Sequence, residues 1–256
     1  MTLPQAARPR LVDFHCHLDL YPDHVALIRE CDRERVATLA VTTTPKAWPR
    51  NRDLAQASTH VRVALGLHPQ LVAEREAELP LFERYLGEAR YIGEVGLDAG
   101  PRFYRSFEAQ ERVFARVLAA CAEHGDKILT LHSVRAVAKV LGHLDRALPP
   151  DRGQVILHWF TGTVAEARRA SDRGCYFSIN SEMLRSPKHR QLVAGLPPDR
   201  LLTETDGPFV TAEGLPVRPR AVAQTVAELA KLRGETEEIM GLRIVSNLRA
   251  LLRAAT

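Results

Sequence analysis

Short apolar segments and longer amphipathic segments alternate along almost the whole chain, and this alternation restricts the fold more than any other feature. The short segments are rich in strand-forming residues, whereas apolar residues in the longer segments recur at helical spacing. The predicted strands cover residues 11–14, 37–43, 61–65, 91–95, 128–131, 155–157, 176–179 and 200–203. The predicted helices cover residues 23–35, 52–58, 79–87, 107–124, 134–148, 163–173, 185–195, 219–233 and 236–253.

Strict alternation of strand and helix favours an α/β fold with parallel strands. Eight strands favour closure into a single (β/α)8 barrel of the TIM type, here with an extra C-terminal helix. An open, doubly wound parallel sheet is the alternative. That fold would place a Gly-x-Gly-x-x-Gly turn after the first strand, and the sequence has none there.

The composition fits one such barrel, because 256 residues with 45% apolar and 26% charged residues can bury a large core. We expect residues 1–10 to form a flexible N-terminal arm and residues 11–256 to form the barrel. The sequence contains neither an apolar run that spans a bilayer nor a signal-like N-terminus, which predicts a cytoplasmic protein without a membrane partner. The four cysteines form no Cys-x-x-Cys pair, which predicts reduced thiols.

A net charge of +4 is compatible with a polyanionic partner but does not require one. Several basic residues fall on predicted loops or helix starts after strands four, seven and eight. There they can contact phosphates, or they can simply face solvent. They are Arg102, Arg105, Arg185, Lys188, Arg190, Arg218 and Arg220.

The first predicted strand ends in a His-x-His pair, His15 and His17. Alternate side chains of a strand share a face, so the two imidazoles point the same way and Cys16 points away. Two imidazoles at the end of a strand can bind one divalent metal.

Potential metal ligands also close most of the other strands. Each has an ordinary structural explanation, such as a salt bridge or a helix cap. In a (β/α)8 barrel, however, the carboxyl ends of all strands meet at one face, where active sites lie. The recurrence of ligand types at that face predicts one convergent metal site. The residues that follow or end strands three, four, five, six and eight are His68, Glu94, Asp98, His132, His158, Glu204 and Asp206.

This set is larger than one tetrahedral zinc uses, and it suits two divalent metals about 3.5–4 Å apart. We expect His15 and His17 to bind one metal and His132 and His158 the other. Glu94 is the predicted bridge between them. Asp206 is expected to bind a metal and to accept the proton of the attacking water, so Glu94 and Asp206 are the predicted catalytic residues. Mixed imidazole and carboxylate ligands fit Mg or Mn, and Zn is also compatible.

The order of these strand ends resembles the TatD family of metal-dependent deoxyribonucleases, which belongs to the amidohydrolase-like superfamily. The resemblance extends from Val12 to Leu252. It implies a (β/α)8 barrel, two-metal hydrolysis of phosphodiester bonds in DNA and the ligand roles given above. The matching segments are 13–19, 66–69, 93–98, 158–162 and 204–208, together with Gln110, Phe114, His132 and Asn247.

Within that family, residues 41–45, 48–49 and 66–71 resemble the TatD-type member, QatD, of the Qat anti-phage systems. This resemblance implies a defence role and, as partners, other proteins of a defence operon. Substrate contacts are predicted for His68, Asp98, Arg135, Trp159 and Glu204. The indole of Trp159 is a candidate for stacking on a base, and a buried structural role is the alternative.

Two segments depart from the family pattern. The family usually has an arginine two residues after the fifth-strand histidine, where this chain has Val134 followed by Arg135. Arg135 reaches a substrate phosphate only if the loop has shifted in register. The loop at 215–219 keeps only the last proline of its usual motif, so no substrate contact is expected by analogy there.

The predicted function is a metal-dependent DNase that acts as an exonuclease on single-stranded or frayed ends. The alternatives are a small-molecule hydrolase, such as a lactonase or deaminase, and a scaffold protein without activity. Many of those small-molecule hydrolases bridge their metals with a carbamoylated lysine, and the chain has no lysine near the end of strand four. The intact ligand set argues against a scaffold.

Overall fold

The computed structural model describes residues 8–255, and within them the main sheet has eight parallel strands that are neighbours in the order of the chain. The predicted (β/α)8 barrel is therefore confirmed. Of the predicted N-terminal arm, residues 1–7 lie outside the described range. The strands are β1 (Leu11–Cys16), β2 (Val36–Val41), β3 (Val61–Leu65), β4 (Tyr91–Gly96), β5 (Lys127–His132), β6 (Gly153–His158), β7 (Tyr176–Ile179) and β8 (Leu201–Thr203).

Helices surround the barrel, and the last of them is the predicted extra C-terminal helix. They are α1 (His24–Glu34), α2 (Trp48–Ala55), α3 (Val72–Arg75), α4 (Leu79–Leu86), α5 (Phe107–His124), α6 (Val137–Ala147), α7 (Val164–Asp172), α8 (Ser181–Arg185), α9 (Pro187–Ala194), α10 (Val222–Arg233) and α11 (Glu237–Ala254). Their apolar faces pack on the barrel, where Phe82, Phe114 and Phe177 are completely buried. In the described part of the chain, no helix is both long and apolar enough to cross a membrane.

The seam between β8 and β1 closes the barrel mainly beyond the end of β8. The amide of Asp206 donates to the carbonyl of His15 (2.9 Å), and the amide of His17 donates to the carbonyl of Gly207 (2.8 Å). The buried Asp13 carboxylate accepts hydrogen bonds from the Thr205 amide (2.8 Å) and hydroxyl (2.6 Å). The seam therefore fixes the backbone on both sides of Asp206.

The predicted element boundaries differ from the structure in a few places. The helix predicted at 134–148 begins only at Val137, because residues 133–136 form a turn in which Arg135 adopts a left-handed φ of 54°. The helix predicted at 185–195 is preceded by a separate short helix, α8. Ser186 before Pro187 is extended, as a residue before proline prefers. A small hairpin, β9 (Thr211–Ala212) with β10 (Leu215–Pro216), was not predicted.

Candidate active site

The carboxylate of Glu94 lies at the centre of the site. Among the described residues, five imidazoles approach it, and Glu94 itself is buried. Oε2 lies near His15 Nε2 (3.3 Å) and His17 Nε2 (3.4 Å). Oε1 lies near His68 Nε2 (3.1 Å), His132 Nδ1 (2.6 Å) and His158 Nε2 (3.6 Å). All four predicted histidine ligands, together with His68, therefore meet at the predicted bridging carboxylate.

Two glycines let the backbone of Glu94 approach its neighbours. Gly93 has a φ of 152°, and a Cβ there would lie 2.2 Å from Cγ2 of Thr130. A Cβ on Gly66 would lie 2.6 Å from the amide nitrogen of Glu94 and closer still to the Thr42 carbonyl. Real Cβ atoms do not make such contacts, so only glycine permits this packing of β3, β4 and β5.

Asp206 faces the same space from the far side of the seam. Its Oδ1 atom lies 3.5 Å from His17 Nε2 and 3.8 Å from His15 Nε2. Asp206 adopts a left-handed φ of 51°, which aspartate tolerates better than most residues. The predicted second carboxylate is thus close to the same imidazoles as Glu94.

Three of these histidines make a second hydrogen bond, through the ring nitrogen that points away from Glu94. His15 Nδ1 lies 2.9 Å from Thr130 Oγ1, His132 Nε2 lies 3.0 Å from Asp98 Oδ2, and His158 Nδ1 lies 3.0 Å from Glu204 Oε2. A carboxylate accepts the ring N–H of its histidine, which leaves the inner nitrogen unprotonated in the neutral ring. Histidines that bind metals in proteins are oriented in this way.

Asp98 and Glu204 are both buried, and neither lines the cavity of the site. Besides His132, Asp98 accepts hydrogen bonds from the side-chain amide of Gln70 (2.7 Å) and from the amide of Gly100 (2.7 Å). In the structure both carboxylates hold a histidine whose inner nitrogen faces Glu94. The substrate contacts of Asp98 and Glu204 stay predictions.

His68 differs from the other histidines in its hydrogen bonding. Its Nδ1 atom accepts a hydrogen bond from the amide of Gln70 (3.1 Å), so in the neutral ring the proton is on Nε2. Burial lowers the pKa of His68, which favours that neutral ring. Nε2 therefore donates to Glu94, and this arrangement favours a hydrogen-bond donor over a metal ligand.

Burial and the neighbouring imidazoles and carboxylates together shift the pKa values of the site residues. Burial alone would raise the pKa of Glu94, but the histidines around it, His68 and His15 foremost, hold that pKa well below its usual range. Burial, reinforced by the charge of His158, lowers the pKa of His15. Burial also acts to lower the pKa of His17, but hydrogen bonds to Asp206 and Glu94 raise it to about 9.

The residues present fit divalent metals. In the described part of the chain, three overlapping groups each bring their ligand atoms within 4.8 Å of one another. They are His15 with His17 and Glu94, His15 with His158 and Asp206, and His68 with Glu94 and His132. The Nδ1 atom of His17 is buried and has no hydrogen-bond partner in the described chain. Imidazole nitrogens and carboxylate oxygens that converge in this way are typical metal donors.

A cavity of about 510 Å³ opens above these groups. His68 and Trp159, two of the predicted substrate contacts, line it. Phe209, which was not predicted, stands at its mouth, is 61% exposed and packs edge-on against His17 with ring centroids 5.0 Å apart. Val134 lines the cavity, whereas Arg135 lines a neighbouring groove, so the loop has not shifted Arg135 into the cavity.

Several predicted phosphate contacts have other partners. Arg218 pairs with Glu30 (2.8 Å) and Asp23 (3.0 Å), and Arg185 pairs with Glu182 (2.9 Å). The guanidinium of Arg190 donates to the carbonyl of Leu184 (3.2 Å). These cations stabilise loops around the site in the structure.

Some residues of the site were missed because serine, threonine and asparagine are not typical metal ligands. Thr130 lies two residues before His132 on β5, Ser178 lies on β7, and Asn180 directly follows β7, two residues after Ser178. The side chains of Ser178 and Asn180 both donate to the Glu204 carboxylate, the latter at 3.0 Å. Strand alternation places each of these side chains on the interior face of the barrel and was the signal that could have found them.

A (β/α)8 barrel with imidazoles and carboxylates gathered at the carboxyl ends of its strands defines a metal-dependent hydrolase. Residues 12–253 match the TatD related DNase family, and the chain therefore belongs to that family.

Similar proteins and a similar solved structure agree with this family assignment. The chain is 30% identical over 260 residues to the uncharacterized metal-dependent hydrolase YjjV of Escherichia coli K12, covering 94% of this chain and 97% of YjjV. The crystal structure of YjjV superposes with a TM-score of 0.79, over 95% of this chain and 98% of that one. The 3'-5' ssDNA/RNA exonuclease TatD of Pantoea vagans is 34% identical over 203 residues, covering 74% and 77% of the two chains.

A lactonase variant of Deinococcus radiodurans also superposes, with a TM-score of 0.61 at 18% identity over 98% of both chains. This similarity shows only that the two proteins share a fold.

Proposed function

We propose that this protein hydrolyses phosphodiester bonds of DNA or RNA with two divalent metals, as an exonuclease on single-stranded or frayed ends. The observation that carries the proposal is the position of Glu94, whose two oxygens face different sets of imidazoles. In this arrangement His15, His17 and Asp206 would bind one metal, and His132 and His158 the other. Glu94 would bind both. Mg or Mn is the expected ion, and Zn also fits the donors.

Divalent metals held there would acidify a water and offset the negative charge of the phosphodiester. The chain's own groups supply the remaining steps. Asp206 would accept the proton of the attacking water, because Oδ1 faces the same space as the imidazoles. His68 at the cavity wall would donate its Nε2 proton to Glu94 and so orient that carboxylate.

The shape of the cavity supports a strand end as the substrate. The catalytic groups are buried below the mouth, where Trp159 and the exposed ring of Phe209 offer surfaces for an unpaired base. The name of the Pantoea relative, a 3'-5' exonuclease on single-stranded DNA and RNA, supports the same substrate class. The lactonase or deaminase alternative has support from the fold alone.

We also propose that the protein acts in the cytoplasm, in a Qat-type anti-phage system with other proteins of its operon. This proposal is supported by the segments at 41–45, 48–49 and 66–71 alone. Co-purification with the products of neighbouring genes would test it, and a phage-challenge assay that compares the parent with Glu94→Gln would test the role of the activity.

The activity itself can be tested with metal-stripped protein and end-labelled DNA and RNA, single-stranded and duplex. We expect cleavage that starts at strand ends, returns with Mg or Mn and is abolished by EDTA. Lys139→Gln, which changes an exposed residue that does not line the cavity, serves as a control that retains activity. Turnover of an ester, lactone or nucleobase substrate without cleavage of any strand would instead favour the small-molecule alternative.

A further inference from the structure

A second groove of about 900 Å³ lies beside the active-site cavity, between α7 and α9. Residues from the loop after β5, the loop after β6 and the start of α9 form its walls. Thr161 lines both this groove and the active-site cavity, so the two are adjacent. The groove plays no part in the site described above.

Of the described residues, three cations line this groove: Arg135, Arg168 and Lys188. All three are exposed, and within residues 8–255 none has a side-chain hydrogen bond or an ion pair with a carboxylate. The acidic residue of the groove, Glu166, already accepts hydrogen bonds from the Thr163 amide (2.7 Å) and hydroxyl (2.9 Å) at the start of α7. Three cations against this one carboxylate leave the groove with a net positive charge.

Arg135 owes its place in the groove to the turn that follows β5. The amide of Ala136 donates to the carbonyl of Ser133 (3.1 Å), and Arg135 takes a left-handed φ of 54° within this turn. As a result, Val134 lines the cavity while the next residue lines the groove. A left-handed arginine is uncommon, and such conformations persist where the surrounding structure holds them.

Resting on the function proposed above, we propose that the strand whose end is hydrolysed leaves the cavity past Thr161 and lies in this groove. Its phosphates contact Arg135, Arg168 and Lys188. The described lining of the groove includes no aromatic residue, whereas Trp159 and Phe209 line the cavity. The groove thus binds the sugar-phosphate backbone without reading bases, and the cavity holds the terminal base.

The test compares a long single strand with a dinucleotide, which fills the cavity but does not reach the groove. The variant is Arg135→Gln/Arg168→Gln/Lys188→Gln. We expect its kcat/KM to fall on the order of tenfold or more for the long strand, DNA or RNA, and to remain close to that of the parent for the dinucleotide. A loss of similar size on both substrates would overturn the proposal, because it would place these residues in the active site.

Binding provides a readout that does not depend on activity. Each phosphate contact to a single strand contributes about 0.7 to the slope of log K against log salt, so losing three should reduce the slope by about 2. We would measure this slope with the Asp206→Asn protein, with and without the triple substitution. An unchanged slope and affinity would also contradict the proposal.

The matched control is Arg29→Gln/Arg84→Gln/Arg249→Gln, which removes the same charge from exposed positions on α1, α4 and α11. This control should bind the long strand like the parent, and an equal loss would show a net-charge effect instead of a groove. The melting temperature of both variants should match that of the parent. If the parent hydrolyses neither the strand nor the dinucleotide, the proposed function fails, whereas hydrolysis of both with no effect of the triple substitution refutes only the groove.

Discussion

Glu204→Gln offers a sensitive test of how the site is held, because this buried carboxylate is surrounded by donors. Oε2 accepts from His158 Nδ1 (3.0 Å) and from the Ser178 hydroxyl. Oε1 accepts from the amide of Trp159 (3.1 Å) and from Asn180 Nδ2 (3.0 Å). The orientation of Asn180 is fixed, since its Oδ1 atom accepts from the amide of Met183. Glutamine must therefore place its NH2 group against two former donors.

The two orientations of that glutamine differ in cost. If the NH2 group faces Trp159 N and Asn180 Nδ2, neither can accept, and each unsatisfied buried donor costs about 1–3 kcal/mol. If it faces His158 and Ser178, the hydroxyl can rotate, and His158 can move its proton to Nε2 and accept on Nδ1. The second orientation satisfies every group, so we expect it to predominate.

This tautomer removes the lone pair that His158 directs towards Glu94. Substitution of residues that orient metal-bound histidines typically lowers metal affinity 10–100-fold, which corresponds to about 1.4–2.8 kcal/mol. We therefore expect Glu204→Gln to fold with little loss of stability but to bind the metal proposed for His132 and His158 about 10–100-fold more weakly. Competition with a chelating indicator measures the affinity, and ¹⁵N chemical shifts of His158 report which ring nitrogen carries the proton.

Glu111→Gln is the matched control, because Glu111 also pairs with a histidine. Its Oε1 atom lies 3.1 Å from His143 Nε2, outside the active site. This variant should bind metal like the parent. A Glu204→Gln protein that binds metal as tightly as the parent, with the proton of His158 still on Nδ1, would refute the positioning role of Glu204.

Other predictions concern the ligands themselves. Glu94→Gln should lower metal content and abolish hydrolysis while far-UV circular dichroism stays unchanged; full activity would contradict the two-metal proposal. Asp206→Asn should lower kcat by several orders of magnitude with little change in strand affinity, the pattern of an interaction made mainly in the transition state; a loss confined to affinity would assign Asp206 to binding. Burial acts to lower the pKa values of His17 and His158, but the nearby carboxylates have the larger effect. The resulting pKa values in the metal-free protein are about 9 for His17 and about 10 for His158. Since metals displace these protons, affinity measured by titration should rise with pH up to that range, and a flat profile would contradict this reasoning.

The sequence predicted the barrel, and it predicted Glu94 and the histidines around it, because both depend on local patterns. Strand and helix periodicity is visible in single segments, and His15, Glu94 and His132 each lie in the second half of a strand. What the sequence could not reveal was the direction of side chains beyond the strands. Asp98 and Glu204 are ligand types, but their direction depends on loops that turn them behind a histidine.

Arg135 illustrates the same limit in a turn. Helical periodicity placed residues 134–136 in the following helix, where positions 134 and 135 differ by about 100° in direction. The structure instead has a turn in which Arg135 is left-handed. Because of this turn, Val134 lines the active-site cavity and Arg135 lines the neighbouring groove. Periodicity does not encode such a turn, because no glycine or proline marks it.

The seam between the first and last strands links closure of the barrel to the chemistry of the site. Asp13 on β1 binds both the amide and the hydroxyl of Thr205, and the next residue is Asp206. The amide of Asp206 also donates to the carbonyl of His15. One short stretch therefore sets the distance between the proposed proton acceptor, Asp206, and the proposed metal ligand His15. Glu94 reaches the same imidazoles from β4 on the opposite side, so the separation of the two carboxylates depends on the barrel being closed. Loosening the seam should therefore impair catalysis before it unfolds the protein.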